Sequence, residues 1–303
     1  MKRILITGAK GLLGKALNNS FGLGDYAMFS PSREELDLSN YLKTTNYIKD
    51  NRIDAIIHCA AVVGGIQANI ENPLNFISAN LRMDLNILDA SVSNEIKELI
   101  FFGSSCMYPR DAEQPMQESQ IMTGKLEPTN EAYAMGKLTT AQIVRTISET
   151  RGWSYRTLIL SNLYGPGQSE HLQKSHLIGA IHRKFRESKE RGLTEIEIWG
   201  SGKARREFTH VDDISIWLVE NFSRLSEFPQ SLNLGYGSDF SINEYYQYFS
   251  AAYGNNFTFT HDLSKPEGMP VKLLDSRVAE SKFAWAPRIS PYDGIHKLVR
   301  ESG

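Results

Sequence analysis

At 303 residues, 41% of them hydrophobic and 22% charged, the chain can bury a full core and fits one large α/β domain with a smaller attached lobe. A formal net charge of -2 offers no electrostatic footprint for nucleic acid or an acidic membrane, so any anion it binds must be held by local lysines and arginines. Two cysteines, Cys59 and Cys106, are too few for a disulfide framework, and no apolar run approaches membrane-spanning length.

Met1-Lys2-Arg3 leads directly into the apolar, β-branched run Ile4-Leu5-Ile6, so a cytoplasmic chain with free thiols and no targeting leader is expected. Thr7-Gly8 and a helical pattern from Leu12 to Leu17 follow, which reads as strand, tight turn, helix. Gly8, Gly11 and Gly14 stand in that turn as G-x-x-G-x-x-G. There, glycine allows the backbone to approach a pyrophosphate closely, and the helix N-terminus stabilises the charge. The next strand, near Tyr26 to Ser30, ends in Ser30-Pro31-Ser32-Arg33 with no carboxylate to take a ribose 2′-hydroxyl. Arg33 and Lys10 suit a 2′-phosphate instead, which favours NADPH over NADH. Asp37, at nearly the distance expected of a ribose-binding acid, is assigned with Leu38 to the loop beside the adenine, and Ala60 and Ala61 are counted with the cofactor residues.

Strand candidates at Ala55-Ile56-Ile57-His58, Leu99-Ile100-Phe101-Phe102 and Thr157-Leu158-Ile159-Leu160 are separated by helical stretches near 40-50, 72-93 and 131-151. Such alternation predicts a Rossmann-type, doubly wound parallel sheet covered on both faces. After residue 161 the texture changes to Gly165-Pro166-Gly167, a basic helix around His176-Lys189 and an aromatic, turn-rich tail. The expected organisation is an NADP-binding domain over 1-160, to which about 205-238 returns, and a smaller C-terminal substrate-binding lobe made of 161-204 and 239-303.

The chemistry concentrates in Ser104-Ser105-Cys106-Met107-Tyr108-Pro109 and Tyr133-Ala134-Met135-Gly136-Lys137. A Tyr and a Lys one helical turn apart project from the same face, so the ammonium is expected to lower the phenol's pKa and make Tyr133 a proton donor near neutral pH. Ser104 is expected to hold a carbonyl. Cys106 adds a thiolate able to take a proton from carbon, for which a plain reductase has no need. Cys59 reads as core filler. His58, His171 and His210 have no second ligand at metal spacing, so no metal site is expected.

With the glycine loop, Ser104 and Tyr133/Lys137 in order, the chain resembles the extended short-chain dehydrogenase/reductase family of nucleotide-sugar enzymes, and within it the GDP-L-fucose synthase group. The match runs through A-A-V-V-G-G-I at 60-66, G-S-S-C-M-Y-P at 103-109, L-E-P-T-N-E-A-Y-A-M-G-K at 126-137, S-N-L-Y-G-P at 161-166 and S-H-L-I at 175-178. It continues in W-G-S-G at 199-202, R-R-E-F-T-H-V-D-D at 205-213 and K-P-E-G-M-P-V-K-L-L-D at 265-275.

The resemblance implies an NADPH-dependent epimerase-reductase that converts GDP-4-keto-6-deoxy-D-mannose to GDP-L-fucose. In it the residue matching Cys106 removes protons at C3 and C5, the one matching His176 returns them from the opposite face, and Ser104 and Tyr133 stabilise the enolate. Tyr133, with Lys137, then serves the reduction at C4. It also implies sugar, diphosphate and guanine contacts at Asn162, Lys184, Trp199, Arg206 and Lys272, and a homodimer through helices near 72-93 and 131-151.

The chain departs from the family pattern at Lys184, usually an arginine, in the Gly167-Gln168-Ser169-Glu170-His171 loop, and at Gly179, where a proline is common. These lie in the substrate lobe and leave open a C4 reductase without epimerisation or a GDP-colitose synthase acting on a dideoxy ketosugar. A 4,6-dehydratase is disfavoured because Ser105 and Cys106 stand where that chemistry needs a carboxylate pair. A non-catalytic NADPH sensor is disfavoured because Ser104, Tyr133 and Lys137 are all present.

Overall fold

A computed structural model describes residues 1–22, 26–168, 177–254, 257–265 and 267–302. The strands are β1 Lys2–Thr7, β2 Tyr26–Phe29, β3 Ala55–His58, β4 Glu98–Ser104, β5 Ser154–Leu160, β6 Asn162–Tyr164, β7 Glu195–Trp199, β8 Arg205–Arg206, β9 Phe208–His210, β10 Ser231–Leu234, β11 Phe240–Ser241, β12 Thr258–Asp262 and β13 Val271–Lys272. The α-helices are α1 Leu12–Phe21, α2 Tyr41–Asp50, α3 Ile66–Glu71, α4 Pro73–Ser93, α5 Glu131–Arg151, α6 Leu177–Glu190, α7 Val211–Asn221, α8 Ile242–Tyr253, α9 Arg277–Phe283 and α10 Pro291–Glu301.

Six strands form one parallel sheet in the order β10-β5-β4-β3-β1-β2. Alternation along each strand sorts side chains between its two faces. Ile4 and Ile6 join Ile57, Ile100 and Leu158 in a core with α1 and α7. Leu5 joins Ile56, Leu99 and Phe101 in a second core with α2, α4 and α5. Strand order reverses between β1 and β3, where Thr7 pairs with His58, and the C-terminal ends of strands at such a reversal are where open α/β sheets bind ligands.

β4 runs three residues past the apolar stretch 99–102, one before it and two after, because a central strand is paired along both edges and β5 matches it as far as Ser104. That extension sets Ser104 on the sheet rim. α3 was not anticipated; its six residues carry too little periodicity to register.

Beyond β5 the chain builds an aromatic cluster from Tyr164, Phe185, Phe208, Tyr245, Tyr246 and Phe249, and then returns. β10 closes the large sheet, and Ala279, Phe283 and Trp285 pack into the first core. β8 and β13 pair in a small sheet that brings Arg206 beside Lys272.

Candidate active site

The loop after β1 has the shape a dinucleotide needs. Gly8 adopts φ 67°, and a Cβ there would stand 2.6 Å from the Ala60 nitrogen. A Cβ on Gly14 would strike the Gly8 carbonyl oxygen and meet the Ala9 Cα at 2.8 Å. Helix α1 follows Gly11 with no side chain capping it, which leaves its first N–H groups open to an anion.

Around the second strand, Lys10 and Arg33 are exposed, with the Lys10 Nζ 3.9 Å from Glu34. Asp37 is occupied locally: its carboxylate accepts from the Ser39 N–H and hydroxyl at 3.0 and 2.8 Å, which hold its pKa low. Leu38 is buried, and Ala60 and Ala61 lie half-buried across from Gly8. The cradle, the uncapped helix and the two cations fit a phosphorylated dinucleotide.

Ser104, Cys106 and Tyr133 meet at the end of β4. The Ser104 hydroxyl accepts from the Cys106 N–H at 3.2 Å and favours the Tyr133 phenolate. Burial is the larger effect on that phenol and pushes its pKa well up, with the neighbouring Cys106 and Asp84 pushing the same way.

The lowering expected from Lys137 is outweighed at Tyr133 by burial. The Lys137 ammonium lies on the Phe101 ring at 4.4 Å and donates to the Phe102 carbonyl at 3.0 Å. Burial lowers the Lys137 pKa, opposed by the charge of Asp84. A shared helical face thus placed the two residues together, while the lysine's long stem lets its head reach a β4 carbonyl and the Phe101 ring.

That environment is a buried polar network absent from the motif reading. The Thr7 hydroxyl contacts His58 Nδ1 at 2.7 Å, His58 Nε2 meets Asp84 Oδ1 at 2.9 Å, and the Thr140 hydroxyl donates to Asp84 Oδ2 at 2.8 Å. The chain links the glycine loop to the helix that bears Tyr133 and Lys137. Burial raises the Asp84 pKa, but His58, Lys137 and Thr140 together bring it below the usual carboxylate value.

Cys106 is the second departure. Lys272, read as a substrate contact, donates from Nζ to the Cys106 sulfur at 3.2 Å, and Asn130, just before α5, donates from Nδ2 at 3.1 Å. Burial alone would raise this thiol's pKa; the Lys272 charge and the hydrogen bonds from Ser104, Lys272 and Asn130 bring it below the ordinary thiol value. At Cys59 burial drives the pKa far up, opposed by the charge of Lys137. Asn130 had one local signal, its place immediately before a helix, where Asn is favoured.

The remaining expected contacts spread over the lobe. Asn162 donates from Nδ2 to the Glu207 carbonyl at 3.0 Å, and Arg206 donates to the Arg205 and Glu267 carbonyls at 2.8 and 2.9 Å. Lys184 donates to the Glu197 carbonyl at 2.6 Å and stands 5.3 Å from the centre of the Trp199 ring, which also has Lys265 at 5.2 Å and donates from Nε1 to Glu197 at 3.0 Å. Trp199 is 46% exposed, too open for a core residue, and two ammonium groups lie near its ring. His176 lies outside the described residues.

A parallel sheet with a glycine cradle at its reversal point and a Ser, Tyr and Lys around one strand end defines a nicotinamide-nucleotide oxidoreductase of the short-chain type. Residues 4–235 match the model of the NAD dependent epimerase/dehydratase family. The chain belongs to that family. It is 40% identical over 299 residues to the GDP-L-colitose synthase of Yersinia pseudotuberculosis, covering 98% of this chain and 97% of that one. To the GDP-L-fucose synthase of Azorhizobium caulinodans it is 36% identical over 299 residues, covering 99% and 96%. Among solved structures it is similar to the NADP-bound GDP-mannoheptose C4 reductase of Campylobacter jejuni, with TM-score 0.87, 29% identity and coverage of 99% and 97%.

Proposed function

We propose that this enzyme is an NADPH-dependent epimerase-reductase acting on GDP-4-keto-6-deoxy-D-mannose, inverting C3 and C5 and then reducing C4 to give GDP-L-fucose. One observation carries the reading beyond a simple reductase: a half-buried cysteine sulfur, held by two donors, beside the Ser104 and Tyr133 hydroxyls.

Protons at C3 and C5 of a 4-ketosugar are acidified by the adjacent carbonyl. Cys106 takes them, the C–H electron pair moves into the enolate, and Ser104 and Tyr133 donate hydrogen bonds to its oxygen. His176 returns protons from the other face, a role implied by the family resemblance. NADPH, when bound, supplies the hydride for C4. Tyr133 gives its proton to the C4 oxygen, and the tall pKa of its buried phenol keeps that proton in place until the oxygen becomes basic.

Gly8, Gly11 and Gly14 cradle the pyrophosphate, Ala60 and Ala61 line the opposite wall, Lys10 and Arg33 take the 2′-phosphate, and Asp37 and Leu38 border the adenine. Lys184, Arg206 and Trp199 receive the diphosphate and guanine, with Asn162 near the sugar. Exposed Leu74, Leu85 and Met135 on α4 and α5 support a homodimer through those helices, and a cytoplasmic setting suits the two free thiols.

The 40% identity to a colitose synthase favours a second substrate, a dideoxy 4-ketosugar, as the alternative. Turnover of each ketosugar with NADPH in deuterated water separates them. The reading expects deuterium at both C3 and C5 of a product made from GDP-4-keto-6-deoxy-D-mannose; NADPH oxidation with neither carbon labelled would leave a C4 reductase.

A further inference from the structure

The Cys106 sulfur receives a hydrogen bond from Lys272 of the lobe, a residue that the family resemblance assigns to the nucleotide sugar. Lys272 is only 8% exposed, and among the described residues no carboxylate pairs with its ammonium; its side-chain partner is the Cys106 sulfur at 3.2 Å. A buried ammonium facing a neutral thiol would be left without a counter-charge, an arrangement that folded proteins avoid. Asn130 repeats the pattern from another element. Its Nδ2 donates to the same sulfur at 3.1 Å, so among the described residues the sulfur accepts from two elements, a load that suits a thiolate better than the weaker acceptor of a thiol.

We propose that Lys272 is a positioning residue whose buried ammonium holds Cys106 as a resting thiolate, so that strand β13 of the lobe completes the carbon base carried by the loop after β4. Asn130 fixes the direction of the sulfur's lone pairs. Among the described residues, the charged and titratable groups around the sulfur fit this assignment. Lys272 faces it from β13, Arg206 adds a second positive charge from β8, and Tyr133 of α5 is kept protonated by the same anion. Lys137 acts on Cys59 and Asp84 instead, and Glu127 acts on Arg206.

In the reaction the sulfur gains the proton that carbon loses, and the electron pair of the broken C–H bond passes to the enolate, so the ammonium ends beside a neutral thiol. That transient loss of its partner favours handing the proton onward. The part played in turnover rests on the epimerase reading above, whereas the resting charge of the sulfur does not.

The test is an ultraviolet titration of thiolate absorbance on the full chain, taking wild type minus Cys106→Ser to isolate the one sulfur. The expected inflection lies below the ordinary thiol value of about 8.5. Lys272→Met should raise it by a unit or more, cutting the thiolate present below the inflection by about tenfold or more, and Lys272→Arg should restore most of the difference. An inflection at or above the ordinary value in wild type overturns the proposal, and that measurement stands even if Lys272→Met does not fold. So does a Lys272→Met protein that binds GDP more weakly while its inflection stays put, since that is the behaviour of a diphosphate ligand. A low inflection accompanied by no deuterium incorporation would retain the ion pair and remove the epimerisation.

Discussion

Asp84→Asn tests whether the polar network behind the active site is held by charge. The substitution keeps the volume of a buried side chain and one of its acceptors, so contacts to His58 or Thr140 at 2.9 and 2.8 Å survive in part. What disappears is the negative charge that opposes burial at Lys137. Removing one partner of a buried pair typically costs about 3–5 kcal/mol; Asp84 contacts His58 directly and acts on Lys137 through its charge, and a neutral amide that retains a hydrogen bond puts the expected loss near the lower end, about 3 kcal/mol.

The variant has one escape, releasing the Lys137 proton, and this predicts a signature. A lysine whose folded pKa falls below its unfolded value of about 10.4 makes the unfolded chain the better proton binder, so stability rises with pH through that window. Asp84→Asn should therefore show a steeper gain than wild type between neutral pH and about pH 10. Urea unfolding followed by tryptophan fluorescence reads both effects, with an unchanged slope marking a change in stability rather than in the denatured state. A loss below about 1 kcal/mol together with an unaltered pH slope would refute the claim that Asp84 is the counter-charge of Lys137.

Gly14→Ala should weaken NADPH binding at least about tenfold in a fluorescence titration, because its Cβ meets the backbone of Gly8 and Ala9 and only movement of the cradle relieves that; unchanged affinity would show that the loop does not hold the pyrophosphate. Glu207 gives a pH prediction of opposite sign to that for Lys137. It is buried between the N–H groups of Gly237 and Leu274, and burial pushes its carboxyl up to about 7. Because the folded chain then binds the proton more tightly than the unfolded one, wild-type stability should fall by roughly 3 kcal/mol as pH rises from about 4.3 to about 7, and Glu207→Gln should flatten that decline; parallel curves for the two proteins would contradict it.

Much of the first 160 residues is legible along the chain because the forces that shape it are local. Ile4-Leu5-Ile6 followed by spaced glycines reads as strand, turn and helix, and the stretches expected at 40-50, 72-93 and 131-151 stand as α2, α4 and α5 within a residue. Their apolar periodicity decides both the element and the face it buries, and short parallel crossovers leave few ways to order the strands. The side chains proposed to carry the chemistry stand together along the chain for the same reason: Ser104, Cys106, Tyr133 and Lys137 sit in two compact motifs, at the end of β4 and on α5.

Tertiary structure alone decided what those side chains touch. Lys272 reaches Cys106 across 166 positions, and Asp84 meets His58 across 26, separations at which no propensity or period operates. The direction of the Lys137 ammonium depended on a carbonyl of β4 and a carboxylate of α4 arriving beside it. A backbone pattern follows from forces summed over neighbours in the chain. The partner of a buried charge is whichever group the packed fold brings within reach, and that is known only once the lobe has closed on the sheet.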